Sequence, residues 1–107
     1  MSAVYELAEF TIPEGREPDF EKTMETARTV IARAPGFISI EYWKGIERPN
    51  VYTLLIKWRT LESHLDGWRH SPHYPEWSAL VRPFIVGTPR DAHFVPCGEP
   101  FTDSNQS

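Results

Sequence analysis

Three histidines lie close together in the middle of the chain and are the first candidates for chemistry. They are His64, His70 and His73, and Tyr74 follows directly after the third. An imidazole can take up a proton near neutral pH and a phenol can pass one on. His64, His73 and Tyr74 are therefore candidate general bases or proton shuttles. The alternative for His73 is that it caps backbone groups or lies at the surface.

The same histidines raise the question of a metal site, since imidazole is the commonest metal ligand in proteins. His64 and His70 are six positions apart. On a helix this spacing corresponds to about 600° of rotation, which places them on nearly opposite faces. No cysteine or carboxylate completes a recognised ligand pattern around them. The sequence therefore predicts no metal site.

Aromatic side chains surround these histidines. Trp68, Tyr74 and Trp77 lie around a predicted helix break and can stack on a flat ligand. Arg82 follows a little further on and can hold a phenolate or a carboxylate through charge-assisted hydrogen bonds. The alternative is structural: the aromatic rings fill the core, and Arg82 is an exposed charge that interacts favourably with a helix dipole.

The elements that must position these side chains follow from hydrophobic periodicity and from turn residues. Alternating apolar residues predict strands, and apolar residues spaced by three and four predict helices. Pro35-Gly36 and Ser71-Pro72 interrupt the helical patterns. In chain order, the predicted elements are a strand at 4–12, a helix at 18–34, strands at 37–46 and 51–58, a helix at 60–70, a short helix at 75–81 and a strand at 90–96.

This order, β-α-β-β-α-α-β, predicts an α+β, ferredoxin-like domain with an antiparallel sheet and one additional short helix. The helices would cover one sheet face, where Tyr42 and Trp58 would line the sheet side of a ligand pocket or pack in the core. Strands two and three are apolar toward both faces. Leaving Tyr42 or Trp43, and Leu54 or Leu55, in water would expose a large patch. We therefore expect a homodimer whose sheets face each other, a dimeric α+β barrel.

Length and composition limit the architecture and the partners. A chain of 107 residues with 40% hydrophobic content supports a single core, so we expect one domain over 1–98 and a polar, mobile tail over 99–107. The net charge is −4 with basic residues spread along the chain, which argues against nucleic acid as a partner. The N-terminus has no signal-peptide pattern, and no apolar stretch approaches the roughly 20 residues that cross a bilayer. We expect a soluble, cytoplasmic protein without a membrane partner. Cys97 is expected to be a structural or exposed side chain, and we assign it no chemistry.

Several familiar cofactor and hydrolase motifs are missing from the sequence. Gly36, Gly45, Gly67 and Gly87 are isolated, so no glycine-rich loop is present to hold a nucleotide-derived cofactor. There is no Gly-x-Ser-x-Gly motif and no paired carboxylate motif of the glycosidase type. The sequence therefore predicts neither a flavin or nicotinamide cofactor nor a hydrolase.

Three short motifs follow one another between residues 35 and 84. They are a Pro-Gly before a strand (Pro35-Gly36), a strand that ends in Trp58, and a Ser-Pro-His-aromatic step after a helix (Ser71 to Tyr74). In this order they resemble the antibiotic biosynthesis monooxygenase family. The likeness covers about half of the chain closely, and the predicted topology extends it to nearly all of the chain.

The resemblance implies a monooxygenase that works without cofactors and uses O2 on an aromatic, quinol-like or polyketide-like small molecule. Such an enzyme removes a proton from a phenol or quinol, so that the electron-rich anion can pass an electron to oxygen. It therefore needs a general base and a dry aromatic pocket. The family also contains haem-degrading enzymes and signal-molecule modifiers, so membership alone does not define the reaction.

The sequence departs from the family pattern at one informative position. Many members carry a His where this chain has Trp68, three residues before Ser71. The loss of that base favours a second interpretation, a non-catalytic dimeric domain that binds a hydrophobic small molecule. A third interpretation is haem binding or degradation. The haem-degrading branch shares the Trp but carries an Asn and a His where this chain has Ala8 and Ser78, so an axial ligand for the iron is missing.

Overall fold

The computed structural model describes residues 3–103. The tail predicted over 99–107 therefore lies partly outside the described residues. Among those described, no helix combines the length and the apolar character that a membrane span requires. The elements in chain order are β1 (Val4–Thr11), α1 (Glu17–Ile31), β2 (Phe37–Lys44), β3 (Val51–Trp58), a π-helical turn (Ser63–Trp68), α2 (Tyr74–Val81), a 3-10 turn (Arg82–Phe84) and β4 (Arg90–Phe94).

The four strands form one antiparallel sheet in the order β2-β3-β1-β4. This arrangement confirms the α+β, ferredoxin-like fold. The strands predicted at 37–46 and 90–96 each end two residues earlier. The first ends where the Gly45 amide bonds across the hairpin to the Val51 carbonyl, and the second ends at Phe94, which pairs with Tyr5 near the start of β1.

Helix α1 covers the sheet with a continuous apolar stripe. Pro18 occupies its first turn, where a missing amide proton costs no hydrogen bond. The side chains that α1 buries are spaced by three and four residues, namely Phe20, Met24, Ala27, Val30 and Ile31. Each large apolar side chain buried in this way contributes roughly 1.5–3 kcal/mol to folding. The stripe therefore fixes α1 against one face of the sheet.

The same face of β1 contains a single acidic residue. Ala8, Phe10 and Ile12 alternate toward α1 and are buried, as the pleat requires. Glu6 occupies the next position in this alternation and is only 6% exposed. Burial of a carboxyl group is costly unless other groups bond to it, so Glu6 marks a polar site within an apolar layer.

The second helix predicted from the sequence is replaced by the π-helical turn, which packs against the start of β2. The Arg59 amide donates to the Gly36 carbonyl at 2.8 Å, and the Thr60 hydroxyl accepts from the Ser63 amide at 3.0 Å. Gly36 has a φ of +85° and lies directly beneath the Ser63 side chain. This contact sets the position of the turn, and His64 is the next residue along it.

Gly36 and Gly15 offer a matched test of this close approach, because both have a positive φ, yet only Gly36 has a neighbour where a Cβ would be placed. We expect Gly15→Ala to lower the free energy of unfolding by about 1 kcal/mol, the cost of a left-handed backbone. Gly36→Ala adds a clash with Ser63 and is expected to lose at least about 1 kcal/mol more. Urea unfolding measures both values. Equal losses would show that the contact between Gly36 and Ser63 does not constrain the turn.

Candidate functional site

A cavity of about 240 Å³ lies between the sheet and the helical segment that follows β3. Its helical wall carries aromatic and basic side chains, and its sheet wall is mostly apolar with two carboxyl groups. The helical residues that line it include His64, Trp68, Arg69, Tyr74, Trp77, Ser78, Val81 and Arg82, and the sheet residues include Glu6, Ala8, Phe10, Leu54, Ile56 and Asp91. The cavity thus places an aromatic wall opposite acidic groups.

Trp68 is the centre of the aromatic wall. Its ring meets the Tyr74 ring at 5.4 Å and 82°, and the Trp77 ring at 6.0 Å and 78°. Such edge-to-face packing is the arrangement that aromatic pairs prefer. Trp68 is 2% exposed and Trp77 is also buried, so the wall is held rigidly before any ligand arrives.

Next to the aromatic wall lies a polar cluster of Glu6, His64, Asp91 and His93, whose members come from three separate elements. In the sheet, Glu6 pairs with His93 and Ala8 pairs with Asp91, so the β1 and β4 side chains point to the same face. The π-helical turn brings His64 over them. His64 Nδ1 lies 2.8 Å from His93 Nε2, and His64 Nε2 lies 3.4 Å from Glu6 Oε2.

Trp58 supports this cluster from the core. Its indole Nε1 donates to Glu6 Oε1 at 2.9 Å, and its ring stacks on the His64 imidazole at 5.3 Å and 21°. Trp58 is fully buried, as are Glu6 and His64 apart from a few per cent of their surface. A single core side chain therefore holds both the carboxyl group and the imidazole in place.

Burial shifts the pKa values of the two groups in opposite directions. Burial raises the pKa of Glu6 to about 8, and the hydrogen bond that the protonated carboxyl donates to Asp91, together with the negative charge of Asp91, adds to the rise. Burial lowers the pKa of His64 to about 4, which the charge of Asp91 only partly opposes. Both shifts follow from the cost of placing a charge in a low-dielectric interior. Near neutral pH, Glu6 therefore keeps its proton and His64 is uncharged.

Five of the side chains that the sequence suggested are brought together around the cavity, namely His64, Trp68, Tyr74, Trp77 and Arg82. Arg82 also donates to the Ser78 hydroxyl at 2.8 Å, which orients its guanidinium.

The other three suggested side chains lie outside the cavity lining. Trp58 lies behind it, against Glu6 and His64. Tyr42 donates to Glu25 at 3.0 Å and lies beneath the Arg28 guanidinium. His73 precedes α2, where its carbonyl accepts from the Trp77 amide at 3.1 Å and its own amide donates to Ser71.

Sequence reasoning missed Glu6, Asp91 and His93 as site residues. The alternation of β1 carried a signal, because Glu6 interrupts an otherwise apolar face. Asp91 and His93 gave no comparable signal, since β4 is short and its pairing with β1 becomes visible only in the folded sheet.

The three neighbouring histidines of the sequence do not meet. His70 is exposed and contacts the Asp66 carbonyl through Nδ1 at 3.0 Å. Within residues 3–103 a different set lies close together: one ligand-type atom each from His64, Asp91 and His93, all within 4.8 Å of one another. Two imidazoles and a carboxylate are a donor set that divalent transition metals accept.

Comparisons with known proteins agree with this architecture. The family model described as "Antibiotic biosynthesis monooxygenase" matches residues 3–80. The uncharacterized protein YczJ of Bacillus subtilis (strain 168) is 38% identical over 91 residues, which are 85% of this chain and 96% of that protein. A crystal structure from Bordetella bronchiseptica that carries the same family name has a TM-score of 0.84 at 32% identity, with 88% of this chain and 96% of that chain covered.

A more distant similarity is to SnoaB, a cofactor-independent oxygenase from Streptomyces nogalater. Its structure in a mutant form gives a TM-score of 0.77 at 18% identity, with 92% of this chain and 97% of that chain covered. At this level of identity the likeness concerns the fold alone.

The raised pKa of Glu6 makes stability depend on pH in a predictable direction. The folded protein holds the Glu6 proton up to about pH 8, whereas the unfolded chain releases it near 4.5, so raising the pH between these values favours unfolding. Glu6→Gln removes this effect. We expect the variant to gain stability relative to wild type as the pH rises from 5 to 8, by up to roughly 4 kcal/mol.

Urea unfolding at several pH values measures this difference. Glu14→Gln, at an exposed turn, controls for the loss of a carboxyl group elsewhere in the chain. A difference between Glu6→Gln and wild type that stays constant from pH 5 to 8 would contradict the assignment of a neutral Glu6.

Proposed function

Because the chain belongs to the antibiotic biosynthesis monooxygenase family, we propose that it is a monooxygenase that acts on an aromatic, quinol-like small molecule without an organic or metal cofactor. The observation that carries the proposal is the arrangement of the cavity. An aromatic wall and a buried imidazole that is uncharged near neutral pH line the same cavity. The fold similarity to SnoaB, a cofactor-independent oxygenase, supports this interpretation.

The reaction needs a proton acceptor beside a bound phenol. His64 lines the cavity and, as a neutral imidazole, has a lone pair available for the phenolic proton. The resulting phenolate is electron-rich enough to pass an electron to O2. Arg69 and Arg82 also line the cavity and would stabilise the developing negative charge. Tyr74 would pass a proton or hold the substrate oxygen.

The aromatic wall would set the substrate class. Trp68, Tyr74 and Trp77 offer flat, apolar surfaces against which a ring system can pack. The cavity of about 240 Å³ lies below the usual range of about 300–1,000 Å³ for small-molecule pockets. We therefore favour a compact quinol or phenol of one or two fused rings over an extended polyketide.

We also propose that the protein is a homodimer that pairs through the sheet face opposite the helices. At its centre Leu7 pairs with Leu55 on β3 and with Ala92 on β4, which produces a continuous apolar strip. Trp43 and Phe94 are each half exposed beside it. An apolar surface of this kind on a small domain is typical of an interface.

Oxygen uptake tests the proposed activity. Chelator-treated protein is supplied with a panel that includes 1-naphthol and substituted hydroquinones, and uptake is compared with that of buffer. We expect enzyme-dependent uptake with at least one compound. His64→Asn, which cannot accept the proton, should lower the rate by about 100-fold or more. Trp68→Phe should mainly raise KM, because the smaller ring offers less apolar surface for the substrate to pack against.

Trp43→Phe, on the outer face of the sheet, serves as a control for the loss of a tryptophan. If no compound is oxidised but several quench the fluorescence of Trp68 and Trp77, the protein is instead a non-catalytic domain that binds a hydrophobic small molecule.

Light scattering tests the dimer. Wild-type protein at micromolar concentration should give twice the mass of one 12.4 kDa chain. Leu55→Glu places a charge at the centre of the proposed interface and should give the monomer mass, whereas Glu62→Gln, at an exposed site away from the sheet, should stay dimeric. A monomeric wild type would refute the dimer.

A further inference from the structure

We propose that His64, Asp91 and His93 form a binding site for one Zn²⁺ ion or a similar divalent transition-metal ion, and that the bound ion prevents His64 from accepting a proton. The metal site follows from the contacts of these three residues and of the groups behind them. The loss of the proton acceptor rests on the proposed function, because it concerns the same imidazole.

The three ligands come from two elements that the fold brings together. Asp91 and His93 are two positions apart on β4, so their side chains leave the same face of the strand. His64 lies in the π-helical turn, and its Nδ1 is 2.8 Å from His93 Nε2. One donor atom from each of the three residues lies within 4.8 Å of the other two. The folded chain therefore assembles two imidazoles and one carboxylate without any ion.

The spacing of the two imidazoles is close to the spacing that an ion needs. In a tetrahedral zinc site with Zn–N bonds of about 2.0–2.1 Å, two ligand nitrogens lie roughly 3.3 Å apart. The two ring nitrogens, now 2.8 Å apart, would separate by roughly 0.5 Å to admit an ion in place of the proton they share. His93 is partly buried on the edge strand, so a movement of this size leaves the apolar core unchanged.

Glu6 and Trp58 supply the support that metal-binding histidines usually have. Such a histidine commonly donates its second ring N–H to a carboxyl group, which fixes the orientation of the ring. His64 Nε2 lies 3.4 Å from Glu6 Oε2, and Glu6 Oε1 accepts from the Trp58 indole at 2.9 Å. The bond from His64 needs only a lone pair on Oε2, which a carboxyl oxygen keeps in either protonation state. Nδ1 is therefore the nitrogen of His64 that is directed at the ion.

The donor atoms determine which class of ion can bind. Imidazole nitrogen suits Zn²⁺, Cu²⁺, Ni²⁺ and Fe²⁺, whereas Mg²⁺ and Ca²⁺ prefer oxygen ligands. Three protein donors leave at least one coordination position for water, as in zinc sites that stay open to a ligand. His64 and Asp91 both line the cavity, so water can reach this position. We therefore expect the site to bind Zn²⁺ and to reject Mg²⁺.

Arg69 is the positive charge closest to the carboxylate ligand. Its Nη2 lies 3.6 Å from Asp91 Oδ2, so the guanidinium competes with a cation for the same side chain. A carboxylate has two oxygens and can contact both at once, but the two positive charges still repel each other. Removal of the Arg69 charge should therefore strengthen metal binding.

A bound ion changes what His64 can do. The ion takes the lone pair of Nδ1, and the single proton of the neutral ring then resides on Nε2, which is directed at Glu6. His64 keeps no lone pair for the proton of a phenol. The metal-bound form of the cavity and the form with a free base therefore exclude each other, and the ion acts as an inhibitor of the proposed oxidation.

Isothermal titration calorimetry tests the metal site in the full-length, untagged protein after chelator treatment. We expect one Zn²⁺ per chain with a Kd of about 1 μM or below, and no heat of binding with Mg²⁺. His93→Asn and Asp91→Ala each remove a ligand and should weaken binding by about tenfold or more. Arg69→Gln should bind Zn²⁺ more tightly than wild type, a gain that a poorly folded variant would not produce.

Two controls remove other groups that bind metals. His70→Asn deletes an exposed histidine and Cys97→Ser deletes the exposed thiol, and neither should change the Kd. A wild-type Kd weaker than about 100 μM would overturn the metal site. An unchanged Kd in a correctly folded His93→Asn, or a loss of binding in His70→Asn, would also overturn it, because the ion would then bind elsewhere.

Nitrogen-15 NMR of labelled histidines tests the state of His64 without any substrate. One equivalent of Zn²⁺ should place the His64 proton on Nε2 and leave His64 Nδ1 and His93 Nε2 without protons. The spectrum of His70 should not change. An unprotonated Nε2 on His64 in the presence of Zn²⁺ would overturn the proposed exclusion between the ion and the free base.

Oxygen uptake with 1-naphthol separates this inference from the proposed function. If chelator-treated wild type is active, saturating Zn²⁺ should lower the rate by about tenfold or more. A rate that rises with Zn²⁺ would overturn the inhibitory role of the ion. If chelator-treated protein oxidises no compound, the proposed function is wrong, and one bound Zn²⁺ per chain in calorimetry still supports the metal site.

Discussion

The hydrogen bond from the Trp58 indole to Glu6 is the interaction on which the rest of the site depends. It places a carboxyl group inside the apolar layer between sheet and helices, where ionisation is costly. The neutral state of Glu6 and the uncharged state of His64, which stacks on the same indole ring, both depend on the dry environment that the core supplies.

Different segments of the chain form the core and line the cavity. The sheet and α1 provide a rigid apolar base, in which packing alone accounts for the identity of most residues. The segment from the π-helical turn to α2 carries the aromatic wall and His64. A π-helical turn is an uncommon conformation that occurs frequently at functional sites. Here it is fixed by the contact between Gly36 and Ser63, so the start of β2 helps to position a side chain of the cavity.

The sequence predicted most of the fold and the aromatic residues of the cavity. It did not predict the polar cluster around Glu6, for a physical reason. Periodicity and turn residues are local signals, and they predicted all four strands, α1 and the Pro-initiated α2. Trp68, Tyr74 and Trp77 were also recognised, because they lie near one another along the chain. Asp91 and His93 join Glu6 only through the pairing of β1 with β4, which no local pattern encodes. The helix expected from residue 60 has a π geometry over Ser63–Trp68, which the spacing of apolar residues does not distinguish from an α-helix.

The position of β4 at the sheet edge has a consequence for the growing chain. β1 lies between β3 and β4 in the sheet, yet β4 follows the other three strands of the sheet along the chain. Until residues 90–94 leave the ribosome, one edge of β1 has no partner, and open edges invite pairing with other chains. Glu6 lies on that edge and points inward, and an inward-pointing acidic residue discourages such pairing.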